Sequence, residues 1–200
     1  MGGVKTIVGR ALLVIGLGAS VVSYEPINHA TAELHSLNTP LDVALPLVPA
    51  FAIPYVLYPP FLLLTLLLFG VTNWRRFQAL VLAVILASRT AGVFYLAFQT
   101  VVQRPSVPGS DLGAQLVHWV YAHDEPYNAF PSLHTTGAAL CCIAYFRWRL
   151  RYGLASLPLV TAIIAATVLI RQHYLADVAG GLALAGLAFW IGNWMAELQR

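Results

Sequence analysis

Seven residues near the C-terminal end combine an arginine, a histidine and an aspartate between two apolar runs. Arg171, His173 and Asp177 lie within this stretch, and on a helix His173 and Asp177 would share a face because they are four residues apart. An aspartate in that place holds one imidazole nitrogen and leaves the other free to attack an electrophile. The spacing therefore indicates an activated histidine nucleophile. The alternative is an ion pair that only anchors a helix end at a membrane boundary.

Two further polar segments carry groups suited to a phosphate. The segment 131–134 reads Pro-Ser-Leu-His and precedes another apolar run. Proline suits the first turn of a helix, so Ser132 and His134 are expected at a helix N-terminus, where backbone N–H groups attract an anion. Arg104 and Arg171 add guanidinium groups, which favour phosphate. Taken alone, His134 also fits a capping histidine, and Arg104 also fits a loop salt bridge.

The composition of the chain is that of an integral membrane protein. Of its 200 residues 59% are hydrophobic and 10% are charged, with a mean hydropathy of +0.74, whereas a soluble domain carries roughly 25% charged residues. The net charge of +3 is small, which argues against a nucleic-acid partner. The two cysteines, Cys141 and Cys142, are adjacent in an apolar run, so they predict neither a staple between distant segments nor a metal site.

The hydropathy pattern predicts an all-α fold, with one membrane domain over residues 1–200 formed by a bundle of six transmembrane helices. The expected spans are about 4–23, 49–70, 77–98, 131–146, 154–171 and 174–195, with long outer loops at 24–48 and 99–130. The first span also fits a secretory signal peptide, but five further spans favour a retained helix. Four prolines between positions 49 and 60 predict that the outer half of the second span is broken and packs against the bundle.

The charges predict the orientation of this bundle. With six spans, eight of the eleven lysines and arginines lie on the side of both termini, and seven of the eight acids lie on the other side. Basic loops stay in the cytoplasm. We therefore expect a multi-pass protein of the cell (inner) membrane with cytoplasmic termini and an extracytoplasmic active site. Arg89 is an intramembrane exception, which fits either a phosphate contact or a packed structural pair.

Two motifs resemble those of a known family. Asn128-Ala-Phe-Pro-Ser-Leu-His134 and His173-Tyr-Leu-Ala-Asp177-Val-Ala-Gly-Gly resemble the second and third signature motifs of the type 2 phosphatidic acid phosphatase (PAP2) superfamily. Over roughly residues 40–190 the chain is similar to the branch that includes the inositol phosphorylceramide synthases and bacterial relatives. It departs from the family pattern at two basic positions, where it has Ala97 and Thr167.

The resemblance implies a metal-independent enzyme that needs no cofactor. His173 is implied to attack a lipid phosphate and form a phosphohistidine, with Asp177 orienting its ring. His134 is implied to protonate the leaving oxygen and then to activate the acceptor. The candidate phosphate ligands are Arg104, Ser132, Arg171 and Arg89.

Three functions fit the sequence. The leading hypothesis is a lipid-phosphate phosphatase that hydrolyses phosphoric monoesters or lipid pyrophosphates. The second is a phosphotransferase that moves a phosphoryl group or a phospho-headgroup between a lipid and an alcohol. The third is a non-enzymatic membrane transporter or carrier. The expected partners are a lipid phosphate substrate and membrane lipids. Phosphatidic acid, phosphatidylglycerol phosphate, polyprenyl (pyro)phosphates and sphingolipid-type substrates all fit, and the pattern predicts no particular oligomeric state.

Overall fold

The computed structural model describes residues 13–19, 28–30 and 33–198, which are helical apart from loops and two isolated β-bridges. The predicted all-α fold is thereby confirmed for these residues. The first predicted span is described only over 13–19, here α1, and the rest of it lies outside the described residues. The later elements are α2 (Pro40–Ala44), a 3₁₀ helix (Pro49–Phe51), α3 (Ala52–Val56), α4 (Tyr58–Thr72), α5 (Trp74–Ala97), α6 (Leu112–His123), α7 (Leu133–Trp148), α8 (Leu150–Leu169) and α9 (Leu175–Leu198).

Within the described ranges, four helical segments are long and apolar enough to cross a membrane: Pro49–Thr72, Trp74–Ala97, Leu150–Leu169 and Leu175–Leu198. The predicted span 131–146 corresponds to α7, which has 16 residues and is therefore about 24 Å long. A hydrocarbon core is roughly 30 Å thick. Helix α7 is therefore shorter than a hydrocarbon core. The count of six spans stays a prediction.

The second span begins as short pieces, as its prolines predicted. The 3₁₀ helix and α3 are followed by Leu57 and then by α4, which has proline in its first turn. The other spans differ from the predicted bounds by a few residues. The span expected at 77–98 starts at Trp74, because the Asn73 side chain caps α5 by accepting the N–H of Arg76 at 3.1 Å. The span expected at 154–171 starts at Leu150, directly after Arg149.

The segment 99–130, predicted as an outer loop, contains the helix α6, which was not predicted from the sequence. The Asp111 carboxylate caps this helix by accepting the N–H groups of Gly113 at 2.8 Å and Ala114 at 3.2 Å. Its apolar face buries Val117 and Val120 against the 3₁₀–α3 segment and the C-terminal end of α8. This apolar face is short and lies between two polar stretches, so the sequence pattern did not predict a helix here.

The bundle packs around α5, α7 and α9. Helix α9 lies along α5 and also contacts α7, while α8 packs on α7. Close approach of α9 and α5 depends on Gly192, since a Cβ atom there would lie 2.8 Å from the carbonyl oxygen of Ala79. A large apolar cluster that includes Phe69, Leu80 and Leu140 fills the space between α4, α5, α7 and α9. The polar residues singled out in the sequence lie at the end of the bundle where α7 and α9 begin.

Candidate active site

His173 lies on the short loop between α8 and α9, and backbone hydrogen bonds fix that loop. The N–H groups of Gln172 and His173 both donate to the carbonyl oxygen of Thr167, at 3.0 and 2.9 Å. Arg171 turns the chain away from α8 in a left-handed conformation, with φ of 55°. His173 is only 8% exposed. The ring is therefore presented from a nearly buried, hydrogen-bonded backbone, two residues before α9 starts.

Asp177 is fully buried in the first turn of α9, next to the imidazole. Its Oδ2 accepts the N–H of Tyr174 at 2.7 Å and lies 3.6 Å from Nδ1 of His173. That separation is too long for a hydrogen bond, but it allows direct attraction to an imidazolium. Among the described residues, neither Nδ1 of His173 nor Oδ1 of Asp177 has a hydrogen-bond partner. Nδ1 thus faces the carboxylate, and Nε2 is the nitrogen left for chemistry.

His134 occupies the first turn of α7, after the capping residue Ser132. Its ring stacks on Tyr55, with centroids 4.1 Å apart and planes at 17°, and lies against Tyr58 with centroids 4.7 Å apart and planes at 49°. Aromatic contacts of this kind restrict the plane of a ring. The broken start of the second span therefore sets the orientation of His134.

The two imidazoles face each other across a short gap. Their centroids are 6.4 Å apart and their planes meet at 53°. An in-line transfer needs one ring nitrogen roughly 3 Å from phosphorus and the other within roughly 3 Å of the leaving oxygen. The separation of the His134 and His173 rings is on the scale of a bound phosphoryl group.

Both histidines line one cavity of about 580 Å³. Part of its lining is polar and comes from the segment before α7 and from the α8–α9 loop: Asp124, Glu125, Asn128 and Gln172. Another part is apolar and comes from α4, α5 and α7: Leu62, Val84, Ala87 and Leu140. A pocket with both polar and apolar walls suits an amphiphilic ligand.

Comparison with known proteins agrees with this geometry. A family model described as the PAP2 superfamily matches residues 35–191, well over half of the chain. The chain belongs to the PAP2 superfamily. Its members are phosphatases or related phosphotransferases. No curated protein and no solved structure matches the chain. The similarity to the inositol phosphorylceramide synthase branch stays a prediction.

Arg104 is partly buried beside the α8–α9 loop. Its Nη1 donates to the carbonyl of Tyr121 at 3.2 Å, and its Nη2 donates to the carbonyl of Asp124 and, at 2.7 Å, to Oε1 of Gln172. Its Nε is buried without a partner among the described residues. Burial lowers the pKa of Arg104, while the charge of Asp124 opposes that shift. A guanidinium stays protonated in proteins, so Arg104 brings a fixed positive charge next to Gln172.

The other two predicted arginines are oriented differently. Both terminal nitrogens of Arg171 donate to backbone carbonyls, those of Asp42 and Leu45. Its side chain therefore ties the α8–α9 loop to α2 and to Leu45, the residue that caps the end of α2. Arg89 is exposed on α5, and in the described part of the chain the cavity is lined by its neighbour Ser88 but not by Arg89. Phosphate contacts by Arg171 and Arg89 stay predictions.

Ser132 connects the two motif-bearing helices. Its Oγ accepts the N–H of Thr135 at 3.2 Å, and its own N–H donates to the carbonyl of Asp177 at 3.1 Å. Helix α9 passes close to this point, since a Cβ atom on Gly181 would lie 2.7 Å from the Ser132 carbonyl oxygen. Ser132 thus holds the start of α7 against the start of α9.

Sequence reasoning missed the structural role of Asp42. This residue is fully buried; its Oδ1 accepts the N–H of Leu175 at 2.7 Å and its Oδ2 accepts the N–H of Thr39 at 2.8 Å. Burial raises the pKa of Asp42, but the hydrogen bonds from Thr39 and Leu175 and the charge of Arg171 outweigh it, and the net pKa is lowered. The sequence Thr-Pro-x-Asp at 39–42 is a helix-capping motif. It could have predicted α2 but not the contact between Asp42 and α9.

Proposed function

We propose that the protein is an integral membrane lipid-phosphate phosphatase that works through a phosphohistidine on the extracytoplasmic face. The observation that carries the proposal is the pair of facing imidazoles, His134 and His173, with Asp177 behind one of them. Membership of the PAP2 superfamily supports a phosphatase or related phosphotransferase activity. The apolar part of the cavity lining supports a substrate with a hydrocarbon tail.

The proposed reaction has two displacements at phosphorus. In the first, Nε2 of His173 forms a bond to phosphorus while the bond to the lipid oxygen breaks and His134 gives that oxygen a proton. In the second, His134 takes a proton from water, the water oxygen attacks phosphorus, and the P–N bond breaks to release inorganic phosphate. Asp177 stabilises the positive charge that His173 acquires when its free nitrogen is phosphorylated.

The proposed orientation has support from the far end of the bundle. Arg75, Arg76 and Arg147 surround a second cavity there, and Arg75 forms an ion pair with Glu197 at 2.9 Å. Clustered arginines favour the cytoplasmic side. The test uses Ser106→Cys, an exposed position two residues after Arg104, since both native cysteines are buried. A membrane-impermeant maleimide should label this variant in intact cells; labelling only after lysis would contradict the orientation.

The activity is tested by phosphate release from a panel of lipid phosphates, measured with purified protein in EDTA. The wild type should turn over in the chelator, whereas His173→Ala and His134→Ala should lose at least about 1000-fold in kcat. His118→Ala is the matched control, because His118 is exposed on α6 and does not line the cavity. Chelator-sensitive turnover, or turnover unaffected by His173→Ala, would refute the mechanism.

A phosphotransferase is the second candidate, favoured by the acidic side of the cavity. Asp124 and Glu125 line the same cavity as both histidines, and carboxylates accept hydrogen bonds from hydroxyl groups. An alcohol held there would replace water in the second displacement. If added alcohols yield phosphorylated alcohol at the expense of inorganic phosphate, the protein is a transferase; unchanged phosphate release supports the phosphatase.

A further inference from the structure

We infer that Gln172 is a phosphate-binding residue of this site, donating a hydrogen bond from Nε2 to an oxygen of the substrate phosphate. The inference rests on the proposed function, since it assigns a ligand to the same cavity. Gln172 directly precedes His173 and lies outside the positions that the motif resemblance assigned. Its side chain lines the cavity together with both histidines.

The orientation of the Gln172 amide follows from its neighbour. Nη2 of Arg104 donates to Oε1 of Gln172 at 2.7 Å. A guanidinium has donors and no acceptor, so the oxygen of the amide must face Arg104 and the NH₂ group must face away from it. The usual ambiguity between the two ends of a glutamine amide is thereby removed.

The NH₂ group of Gln172, which faces away from Arg104, is buried and has no hydrogen-bond acceptor in the described part of the chain. Gln172 is 5% exposed, and its Nε2 has no hydrogen-bond partner among the described residues. Buried donors are ordinarily paired, because an unpaired donor loses its bonds to water and gains nothing. Since Gln172 lines the cavity, a ligand bound there that brings an acceptor would satisfy this donor. Arg104 Nε is a second unpaired donor on the same network.

The chemistry of the site identifies that acceptor. A phosphorus within reach of Nε2 of His173 carries non-bridging oxygens, which are strong acceptors. Gln172 directly precedes His173 in the chain. A neutral amide binds such an oxygen without adding charge. The hydrogen bond from Arg104 to Oε1 polarises the amide and makes its N–H a stronger donor. The positive charge of Arg104 therefore acts on the phosphate through the Gln172 amide.

Two variants separate this role from its alternatives. Gln172→Glu keeps an acceptor for Arg104 but loses the donor and adds a negative charge. Gln172→Met keeps the length of the side chain, loses the donor and adds no charge. Gln115→Glu is the matched control, because Gln115 is an exposed glutamine on α6 whose Nε2 bonds to the Ser110 carbonyl.

The primary readout is the binding of inorganic phosphate and orthovanadate to the detergent-solubilised protein, measured by the shift in Tm that each anion causes. Turnover of lipid phosphate, as kcat and KM, is measured in parallel. Both Gln172 variants should weaken anion binding and reduce kcat/KM by about 10- to 100-fold, while Gln115→Glu should match the wild type.

Each contrary outcome has a distinct meaning. Wild-type anion binding in Gln172→Glu would overturn the inference and leave Gln172 as a support for Arg104 only. Wild-type binding in Gln172→Met, with loss in Gln172→Glu, would also overturn it, because repulsion alone would then explain the loss. Anion binding that requires Gln172, in a protein without lipid-phosphate turnover, would support the inference and refute the proposed function.

Discussion

The buried carboxylate of Asp42 offers the sharpest test of how the fold positions His173. It accepts the N–H of Leu175 at the start of α9 and both the N–H and the hydroxyl of Thr39, the last at 2.6 Å. Arg171 donates to the carbonyl of the same residue. Asp42 thus joins the segment before the second span to the loop that carries the proposed nucleophile.

The size of the effect follows from these bonds. Asp42→Ala leaves two backbone N–H groups without an acceptor. A hydrogen bond to a charged group contributes about 1.5–3 kcal/mol, and a helix cap about 0.5–2 kcal/mol. The bonds share one carboxylate and are not additive, so we expect a loss of about 3–5 kcal/mol in the free energy of unfolding. For a chain of this size that lowers Tm by about 6–20 °C.

The assay is thermal unfolding in detergent, with lipid-phosphate turnover below the transition. Asp111→Ala is the control, since Asp111 is exposed and its loss removes the carboxylate cap of α6, which should cost about 1 kcal/mol. Asp42→Ala should also lower kcat at temperatures where it is folded, because the loop of His173 loses its tether. A Tm within about 2 °C of the wild type would refute the reasoning, as would unchanged kcat in a variant that is clearly destabilised.

The same carboxylate predicts a dependence on pH. Its pKa in the folded protein is below the ordinary value of 3.8, so its contribution to stability is complete above pH 3.8 and is lost as the pH falls through the folded pKa. Asp42→Asn cannot titrate. The difference in Tm between the wild type and Asp42→Asn should therefore be constant above pH 5 and shrink in stronger acid; a difference that persists unchanged below pH 3 would contradict this assignment.

Three further predictions concern the support of the two histidines. Asp177→Asn should lower kcat by about 100- to 10,000-fold while leaving KM nearly unchanged, because the carboxylate stabilises charge on the nucleophile; stopped-flow phosphate release measures this. Tyr55→Phe, which keeps the stacked ring, should lose less than about 10-fold in kcat/KM, and Tyr55→Leu clearly more; equal losses would refute the stacking role. Gly181→Ala should lower Tm, because its Cβ atom would meet the Ser132 carbonyl oxygen, whereas Gly186→Ala, with open space around it, should not.

The sequence predicted the helical class and most helix bounds because both depend on local patterns. The prolines between 49 and 60 indicated the broken second span, and the apolar runs located α5, α8 and α9 within a few residues. Helix α6 was missed, because it lies between polar stretches and the partners that bury its apolar face, α3 and α8, are distant in the sequence. Position along the chain does not reveal such a partner.

The residues of the candidate site also fall into two groups, those that the sequence predicted and those that it did not. His134, His173 and Asp177 stood out because catalytic residue types recur at motif spacing. Tyr55 and Asp42 did not, since an aromatic or an acid in a proline-rich segment carries no sign of the ring or helix it will touch. The role of Gln172 became visible only when the hydrogen bond from Arg104 fixed its amide. Long-range partners decide these roles, and a single sequence does not contain them.

One stretch of the chain contacts the supports of both imidazoles. Residues 39–58 cap α9 through Asp42, receive the Arg171 side chain, and place Tyr55 and Tyr58 on the ring of His134. The gap between the rings therefore depends on this stretch rather than on α7 and α9 alone. Since a misplacement of about 1 Å can cost roughly 100-fold in rate, a flexible linker here would impair transfer even with every catalytic side chain intact. Prolines restrict the backbone at 46, 49 and 54, which suits a segment whose task is to hold two reacting groups at a fixed separation.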